Sequence, residues 1–253
     1  MLIVEALADE HQWGVVKIQA PEAWQELGTL SGEGVIIATV DTGVRGTHEA
    51  LKDNFVGEYG WFDPSTSTPT PTDNNGHGTH TTGTIAGGKG HLEQNGLPVV
   101  VVLPQLAINP IFSPVETSSL APLVLMDPAQ TAAKAPNVVS NSWGGGRGNT
   151  WYNGVIEDGM QLKSSHFSPT ETLDQVATLP ILPLTKTSLL FSSVGPTTDG
   201  RMKPEVSAPG SNVISAYHTS DTAYVSLSGT SMACPHAAGA IALLQVRTRT
   251  FLT

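Results

Sequence analysis

The feature of the sequence that most constrains the fold is an apolar run over residues 34–40, GVIIATV. A β-branched run without polar alternation is typical of a strand that is buried on both faces of a parallel sheet. Asp41-Thr42-Gly43 follows directly, at the carboxyl end of the strand, where open α/β sheets place functional groups. The run therefore predicts a parallel sheet with helices on both faces.

Other segments continue this alternation of strand and helix. Residues 136–143, PNVVSNSW, predict another buried strand, and the small residues from 78 to 86 suit a closely packed helix. Residues 227–246 predict a helix of small and apolar residues, with Ser231 just inside its start. This order predicts a doubly wound, mostly parallel α/β sheet. We expect residues 1–253 to form one domain, for which the chain is long enough.

Composition limits the binding partners that we expect. Lys and Arg total 12 against 22 acidic residues, for a formal net charge of -10, which disfavours binding to nucleic acid or to an anionic membrane. No apolar run is long enough to span a bilayer, and the N-terminal segment MLIVEALADEHQ lacks the features of a signal peptide. Cys234 is the single cysteine, so no internal disulfide can form. We expect a monomer.

Three residues in separate blocks could form one catalytic group. A serine hydroxyl becomes a good nucleophile when an imidazole accepts its proton and a carboxylate orients that imidazole. Asp41 ends the buried strand, His77 lies between two glycines at a predicted helix start, and Ser231 lies in the block GTSMA. The helix N-terminus at Ser231 would present free N–H groups to a developing oxyanion. The pattern predicts catalysis by Asp41, His77 and Ser231.

The blocks ATVDTGV, NGHGTHTTGTIAG and SLSGTSMACPHAAGAIAL resemble the aspartate, histidine and serine signatures of subtilisin-like serine proteases, in the same chain order. This resemblance to the subtilases, peptidase family S8, implies an extracellular endopeptidase that cleaves peptides or proteins through an acyl-enzyme. It also implies that Ser142, Trp143, Gly144 and Gly145 form a strand edge that pairs with the substrate backbone. The Ser231 backbone N–H would contribute to the oxyanion hole.

The resemblance also raises the question of metal. Subtilases often bind structural calcium, but the position of the family's ligand aspartate, nine residues after Asp41, holds Ala50. We therefore assign neither a metal nor another cofactor.

Several residues allow other interpretations. Asp-Thr-Gly also occurs in aspartic proteases, where a single copy would require a dimer. His77 and His80 lie three residues apart and could bind a metal. Because no third ligand is evident, we expect His80 to be structural, and His236 as well. Cys234 is expected to be a buried, inert thiol.

Three stretches lack the family pattern: residues 89–133, 158–188 and 245–253. By resemblance, the second should hold the asparagine whose side chain completes the oxyanion hole, and no such motif is present. Regrouping the possible codons of residues 167–180 by one base permits FSNGNSGPSCDTAN, which contains it. We therefore expect out-of-frame translation, with the fold disrupted at 89–133 and 158–188 and truncated at its C-terminus. A genuine divergent insertion is the alternative.

Two consequences follow from the out-of-frame hypothesis. The restored frame would contain several cysteines, as in a secreted, disulfide-bearing enzyme. The chain as written would be a catalytically impaired or dead subtilase relic, which is the second hypothesis for its function.

Overall fold

The computed structural model describes residues 11–27, 32–55, 60–63, 66–88, 99–101, 105–107, 136–142, 165–167, 176–177, 196, 198, 200 and 206–250. The helices are α1 (Trp13–Lys17), α2 (Ala20–Leu27), α3 (His77–Ala86) and α4 (Thr230–Thr250). The strands are β1 (Gly32–Asp41), β2 (Trp61–Phe62), β3 (Val99–Val101), β4 (Gln105–Ala107), β5 (Val138–Ser140), β6 (Ser165–Phe167), β7 (Val176–Ala177), β8 (Ser207–Ala208), β9 (Val213–Ala216) and β10 (Tyr224–Leu227).

Strand β1 organises a six-stranded sheet of parallel pairs. The strand order is β2-β4-β1-β5-β6, and β3 also pairs with β1. Ile37 and Ala38 point to opposite faces because neighbouring residues of a strand alternate, yet both are fully buried. Both faces of β1 are therefore covered, and the predicted parallel α/β sheet is confirmed.

Strand β5 is shorter than the sequence predicts. It covers Val138–Ser140 rather than residues 136–143, and its register pairs Val138 with Ile37 of β1. Asn137 precedes it and binds Ile36 twice, through its backbone N–H (2.7 Å) and through its side-chain oxygen (2.9 Å). Because that side-chain oxygen accepts the Ile36 N–H, the regular ladder begins one residue later.

The stretches in which we expected disruption contain strands: β3, β4 and β6 pair within the six-stranded sheet, and β7 pairs with β8 in a separate two-stranded sheet. Residues 89–133 supply β3 and β4, and residues 158–188 supply β6 and β7. The sequence of β3 is Val-Val-Val, and β-branched residues suit a parallel strand. Helix α4 continues to Thr250, into the third stretch. The parallel architecture is thus present where the family pattern is weakest.

Helices α3 and α4 pack against each other and against β1. Their contact side is rich in small residues, as the sequence predicts, and Ala50 is a buried part of the same core. The antiparallel hairpin β9–β10 packs against α3. No helix within the described part of the chain has both the length and the apolar character needed to cross a membrane.

His80 connects α3 to this hairpin. Its imidazole is fully buried, and Nε2 donates to the carbonyl oxygens of Val213 (3.0 Å) and Val225 (3.2 Å). Burial lowers the pKa of His80 to about 4, although both carbonyls act in the opposite direction. Burial likewise lowers the pKa of His236 to about 4. The two histidines are neutral packing elements, as the sequence analysis expects.

We predict that acid destabilises the protein through these histidines. A pKa lowered in the folded state stabilises the fold above the ordinary value of 6.5, and that stabilisation is lost as the pH falls toward 4. At about 1.4 kcal/mol per unit of pKa, the loss is about 3 kcal/mol for His80. Urea unfolding of the wild type and His80→Phe between pH 7 and 4 measures it. The variant should be less stable at pH 7 and lose about 3 kcal/mol less on acidification; equal losses would contradict the assignment.

Candidate active site

Asp41 is a buried carboxylate at the carboxyl end of β1, with 3% of its surface exposed. Oδ1 accepts a hydrogen bond from the backbone N–H of Thr42 (2.8 Å), and Oδ2 accepts one from the Thr81 hydroxyl (3.1 Å). A buried carboxylate requires such donors because its desolvation is otherwise costly. Each carboxylate oxygen thus has one donor from a threonine, and His77 is the third partner.

His77 is the first residue of α3 and contacts Asp41 directly. Its Nδ1 lies 2.7 Å from Asp41 Oδ1. The carboxylate accepts a hydrogen bond from Nδ1–H, which leaves Nε2 as the basic nitrogen of the neutral ring. Burial alone lowers the pKa of His77, but the charge and hydrogen bond of Asp41, with a contribution from the charge of Asp73, raise it above its usual value.

Side chains bind the first three N–H groups of α3. The N–H of His77 binds the side-chain oxygen of Asn75 (3.2 Å), that of Gly78 binds the Thr42 hydroxyl (2.9 Å), and that of Thr79 binds Asp73 Oδ2 (2.9 Å). These groups lack partners within a helix. The bond from Gly78 therefore joins the start of α3 to Thr42, the residue that follows Asp41.

Glycines allow this close approach. A Cβ at Gly78 would lie 2.1 Å from the carbonyl oxygen of Gly43 and 3.1 Å from Asp41 Cβ. Gly76, which precedes the helix, has φ +98°, a conformation that glycine adopts readily. Gly78 thus allows the start of α3 to approach the end of β1, and Gly76 allows the turn that precedes the helix.

Ser231 is the second residue of α4 and lies beside the end of β5. Its hydroxyl donates to the carbonyl oxygen of Ser142 (2.9 Å). Within the described residues, no hydrogen bond joins Ser231 to His77. The structure thus pairs Asp41 with His77 and Ser231 with Ser142.

Of the predicted substrate strand, only Ser142 lies within the described residues. Its side chain is buried, with 3% of its surface exposed. Trp143, Gly144 and Gly145 lie outside the described residues. The carbonyl oxygen of Ser142 accepts the hydrogen bond from Ser231, so this one residue of the predicted segment lies beside the start of α4.

Cys234 lies beneath this site, one helical turn after Ser231. Its sulfur lies 3.6 Å from Ser140 Oγ and 3.8 Å from the carbonyl oxygen of Asn141. Burial raises the pKa of the thiol, which keeps it protonated and unreactive. The structure therefore agrees with the expected buried thiol.

The two neighbouring histidines bind different partners, which argues against a shared metal. His77 Nδ1 contacts Asp41, whereas His80 Nε2 contacts backbone carbonyls of the hairpin. Among the residues that the structure describes, no three His, Cys, Asp or Glu side chains are grouped to hold a metal ion. Ala50 is buried and offers no side-chain donor, so the calcium position considered for it does not fit.

Sequence reasoning missed Asp73, which accepts hydrogen bonds from three backbone and two side-chain donors. Asp followed by Asn-Asn-Gly is a pattern in which the carboxylate binds the backbone N–H groups after it. That pattern just before a predicted helix start was the available signal.

Comparisons with known proteins identify the family that the chain resembles. A sequence profile of the subtilase family, peptidase S8, matches residues 32–173 and 184–251. The unmatched residues 174–183 lie within the second divergent stretch, whereas the match extends across residues 89–133.

Several characterised proteases are similar in sequence to this chain. Thermitase of Thermoactinomyces vulgaris is 32% identical over 92% of this chain and 81% of its own length. Bacillopeptidase F of Bacillus subtilis is 30% identical over 94% of this chain, and the alkaline protease of Shouchella clausii is 30% identical over 96%. The chain spans only 19% and 61% of those two relatives.

A solved structure supports the fold. The S41 psychrophilic protease superposes with a TM-score of 0.69 at 22% identity, covering 94% of this chain and 84% of its own. At this identity the likeness establishes the shared fold.

We predict that Gly78→Ala destabilises the protein, although alanine is the better helix former by about 1 kcal/mol. Its Cβ would meet a backbone oxygen at 2.1 Å, which cannot move aside without displacing β1 or α3. We expect a loss of about 1–3 kcal/mol in unfolding free energy. Gly88→Ala is the control, since its Cβ would meet only the Asn54 amide at 3.3 Å. Equal unfolding free energies for the two variants would refute the close approach.

Proposed function

The chain belongs to the subtilase family, and on that basis we propose that it is a serine endopeptidase that cleaves peptide bonds through an acyl-enzyme intermediate. The observation that carries the proposal is the 2.7 Å bond between His77 Nδ1 and the buried carboxylate of Asp41. This bond holds the imidazole in the tautomer that a general base requires. Ser231, at the start of α4, is the proposed nucleophile.

In the proposed reaction, the Ser231 hydroxyl rotates from the Ser142 carbonyl toward His77 Nε2. A serine hydroxyl moves between staggered positions by rotation about χ1, and catalytic hydrogen bonds in free enzymes often form only with substrate. As Oγ bonds to the scissile carbonyl carbon, its proton moves to Nε2. The C–N bond then breaks, and the leaving amine takes this proton. Water, deprotonated by the same nitrogen, hydrolyses the ester.

The N-terminus of α4 supports the transition state in this proposal. The backbone N–H of Ser231 would donate to the oxyanion, where the helix dipole also favours negative charge. The side-chain asparagine expected as the second donor is not found in the sequence. Loss of one such donor costs on the order of 10²–10³ in kcat, so we expect slow turnover.

Substrate recognition would use the segment Ser142, Trp143, Gly144 and Gly145. An extended peptide that adds a strand there is held by main-chain hydrogen bonds, which predicts broad sequence specificity. The substrates are accordingly peptides and proteins. We also propose that the protein is a monomer that acts outside the cell.

A catalytically impaired or dead relic is the second candidate. It is favoured by the missing asparagine and by the Ser231 hydroxyl, which binds Ser142 rather than His77. Out-of-frame translation of residues 89–133, 158–188 and 245–253 would account for such a relic. The nucleotide sequence of the transcript tests this, since codons that forbid the regrouped residues would exclude it.

Covalent labelling separates the two candidates. With a fluorophosphonate, an activated serine forms an Oγ–P bond and fluoride leaves, and mass spectrometry locates the adduct. We expect labelling at Ser231, none in Ser231→Ala, and a decrease on the order of 10⁴-fold or more in peptidase turnover for Ser231→Ala or His77→Ala.

Ser220→Ala provides the matched control. Ser220 is an exposed serine that accepts a weak bond from the Thr222 N–H, and its loss should change neither labelling nor turnover. A folded wild type that resists the probe and lacks turnover would favour the relic.

The pH profile gives a second prediction. His77 must be neutral to accept a proton, and its pKa is raised above 6.5. We therefore expect kcat/KM to fall as the pH decreases, with its midpoint above 6.5. Circular dichroism over the same range separates this titration from acid unfolding. A midpoint below 6.5 in a folded protein would contradict the assignment of His77 as the base.

A further inference from the structure

We propose that Asp73 is the positioning residue that holds His77 against Asp41, by binding the loop after β1 and the first turn of α3 with one carboxylate. The structural part of this proposal concerns the His77–Asp41 contact. Its catalytic consequence rests on the proposed endopeptidase function.

Each oxygen of Asp73 binds a different part of the site. Oδ1 accepts hydrogen bonds from the Thr42 hydroxyl (3.1 Å) and from the backbone N–H groups of Asn75 (3.0 Å) and Gly76 (2.9 Å). Oδ2 accepts from the backbone N–H (2.9 Å) and the hydroxyl (2.6 Å) of Thr79. The carboxylate therefore spans the turn before His77 and the first turn of its helix.

Thr42 carries this connection to Asp41. Its hydroxyl donates to Asp73 and accepts from the N–H of Gly78 (2.9 Å), while its own N–H donates to Asp41 Oδ1 (2.8 Å). One residue thus binds the acidic partner of His77, the helix start and Asp73. A change at Asp73 would loosen both sides of the His77–Asp41 contact.

Asp73 is itself firmly held. Thr79 accepts the backbone N–H of Arg45 (3.0 Å), and the carbonyl oxygen of Asp73 accepts a hydrogen bond from Nδ1 of His218 (3.1 Å). Burial raises the pKa of the Asp73 carboxyl, but its hydrogen bonds from Gly76 and Thr79 outweigh burial and lower it. The group is therefore ionised near neutral pH and can accept all five bonds.

The charge of Asp73 also acts on His77. It raises the pKa of the imidazole, in the same direction as Asp41. Other titratable or charged groups around this region come from the loop after β1, from α3 and from the β9–β10 connection: Arg45, His80 and His218. Removal of the Asp73 charge should therefore lower the His77 pKa.

The test compares Asp73→Asn with Glu49→Gln. The control removes the same charge, at a carboxylate that accepts from the Tyr224 hydroxyl (3.1 Å). NMR follows the exchange rate of the His77 Nδ1 proton and the titration of the ring. In Asp73→Asn we expect faster exchange, a lower pKa and a decrease of about 10- to 100-fold in kcat. The control should resemble the wild type.

Thr42→Val separates positioning from charge. It removes the hydroxyl that donates to Asp73 and accepts the N–H of Gly78, and it keeps the negative charge of Asp73. Exchange should therefore quicken while the direct effect of the Asp73 charge persists. If Asp73→Asn fails to fold, the exchange rate of the His77 Nδ1 proton in Thr42→Val tests the proposal. Unchanged exchange of the Nδ1 proton in folded Thr42→Val, or in folded Asp73→Asn, would overturn the proposal. A wild type without turnover refutes the endopeptidase function alone, since the exchange measurement requires no catalysis.

Discussion

The contact between the buried Asp41 carboxylate and His77 Nδ1 imposes most of the local structure. A carboxylate that is 3% exposed needs donors for both oxygens, and Thr42, Thr81 and His77 supply them. A buried acceptor that loses its hydrogen-bond partner typically costs about 1–3 kcal/mol, and more when it is charged. The end of β1 and the start of α3 therefore have to meet, which explains why Gly78 lies against the Gly43 carbonyl.

The remaining contacts join this pair to other elements. Asp73 binds the first turn of α3, and the N-terminus of α4 places Ser231 at the Ser142 carbonyl that follows β5. His80 then joins α3 to the hairpin that precedes α4. Three segments distant in the sequence are thus held at one edge of the parallel sheet, the location that α/β folds commonly use for binding and catalysis.

Local patterns predicted the elements whose causes are local. The continuous apolar run identified β1, glycines identified the start of α3, and small residues after Ser231 identified α4. The length of β5 was not predictable, because it depends on Asn137 binding Ile36, 101 residues away. The role of Asp73 likewise depends on Thr42, 31 residues away. Strands β3 and β6 were missed because the missing family pattern was taken to mean a missing strand.

The most direct test of this account is the distance from His77 Nε2 to Ser231 Oγ in a crystal structure of the protein with a peptide-like inhibitor bound. The account predicts that the hydroxyl leaves the Ser142 carbonyl and lies about 2.6–3.2 Å from Nε2, with Nδ1 still bound to Asp41. A hydroxyl that stays on Ser142 beyond hydrogen-bonding reach of the imidazole would contradict it.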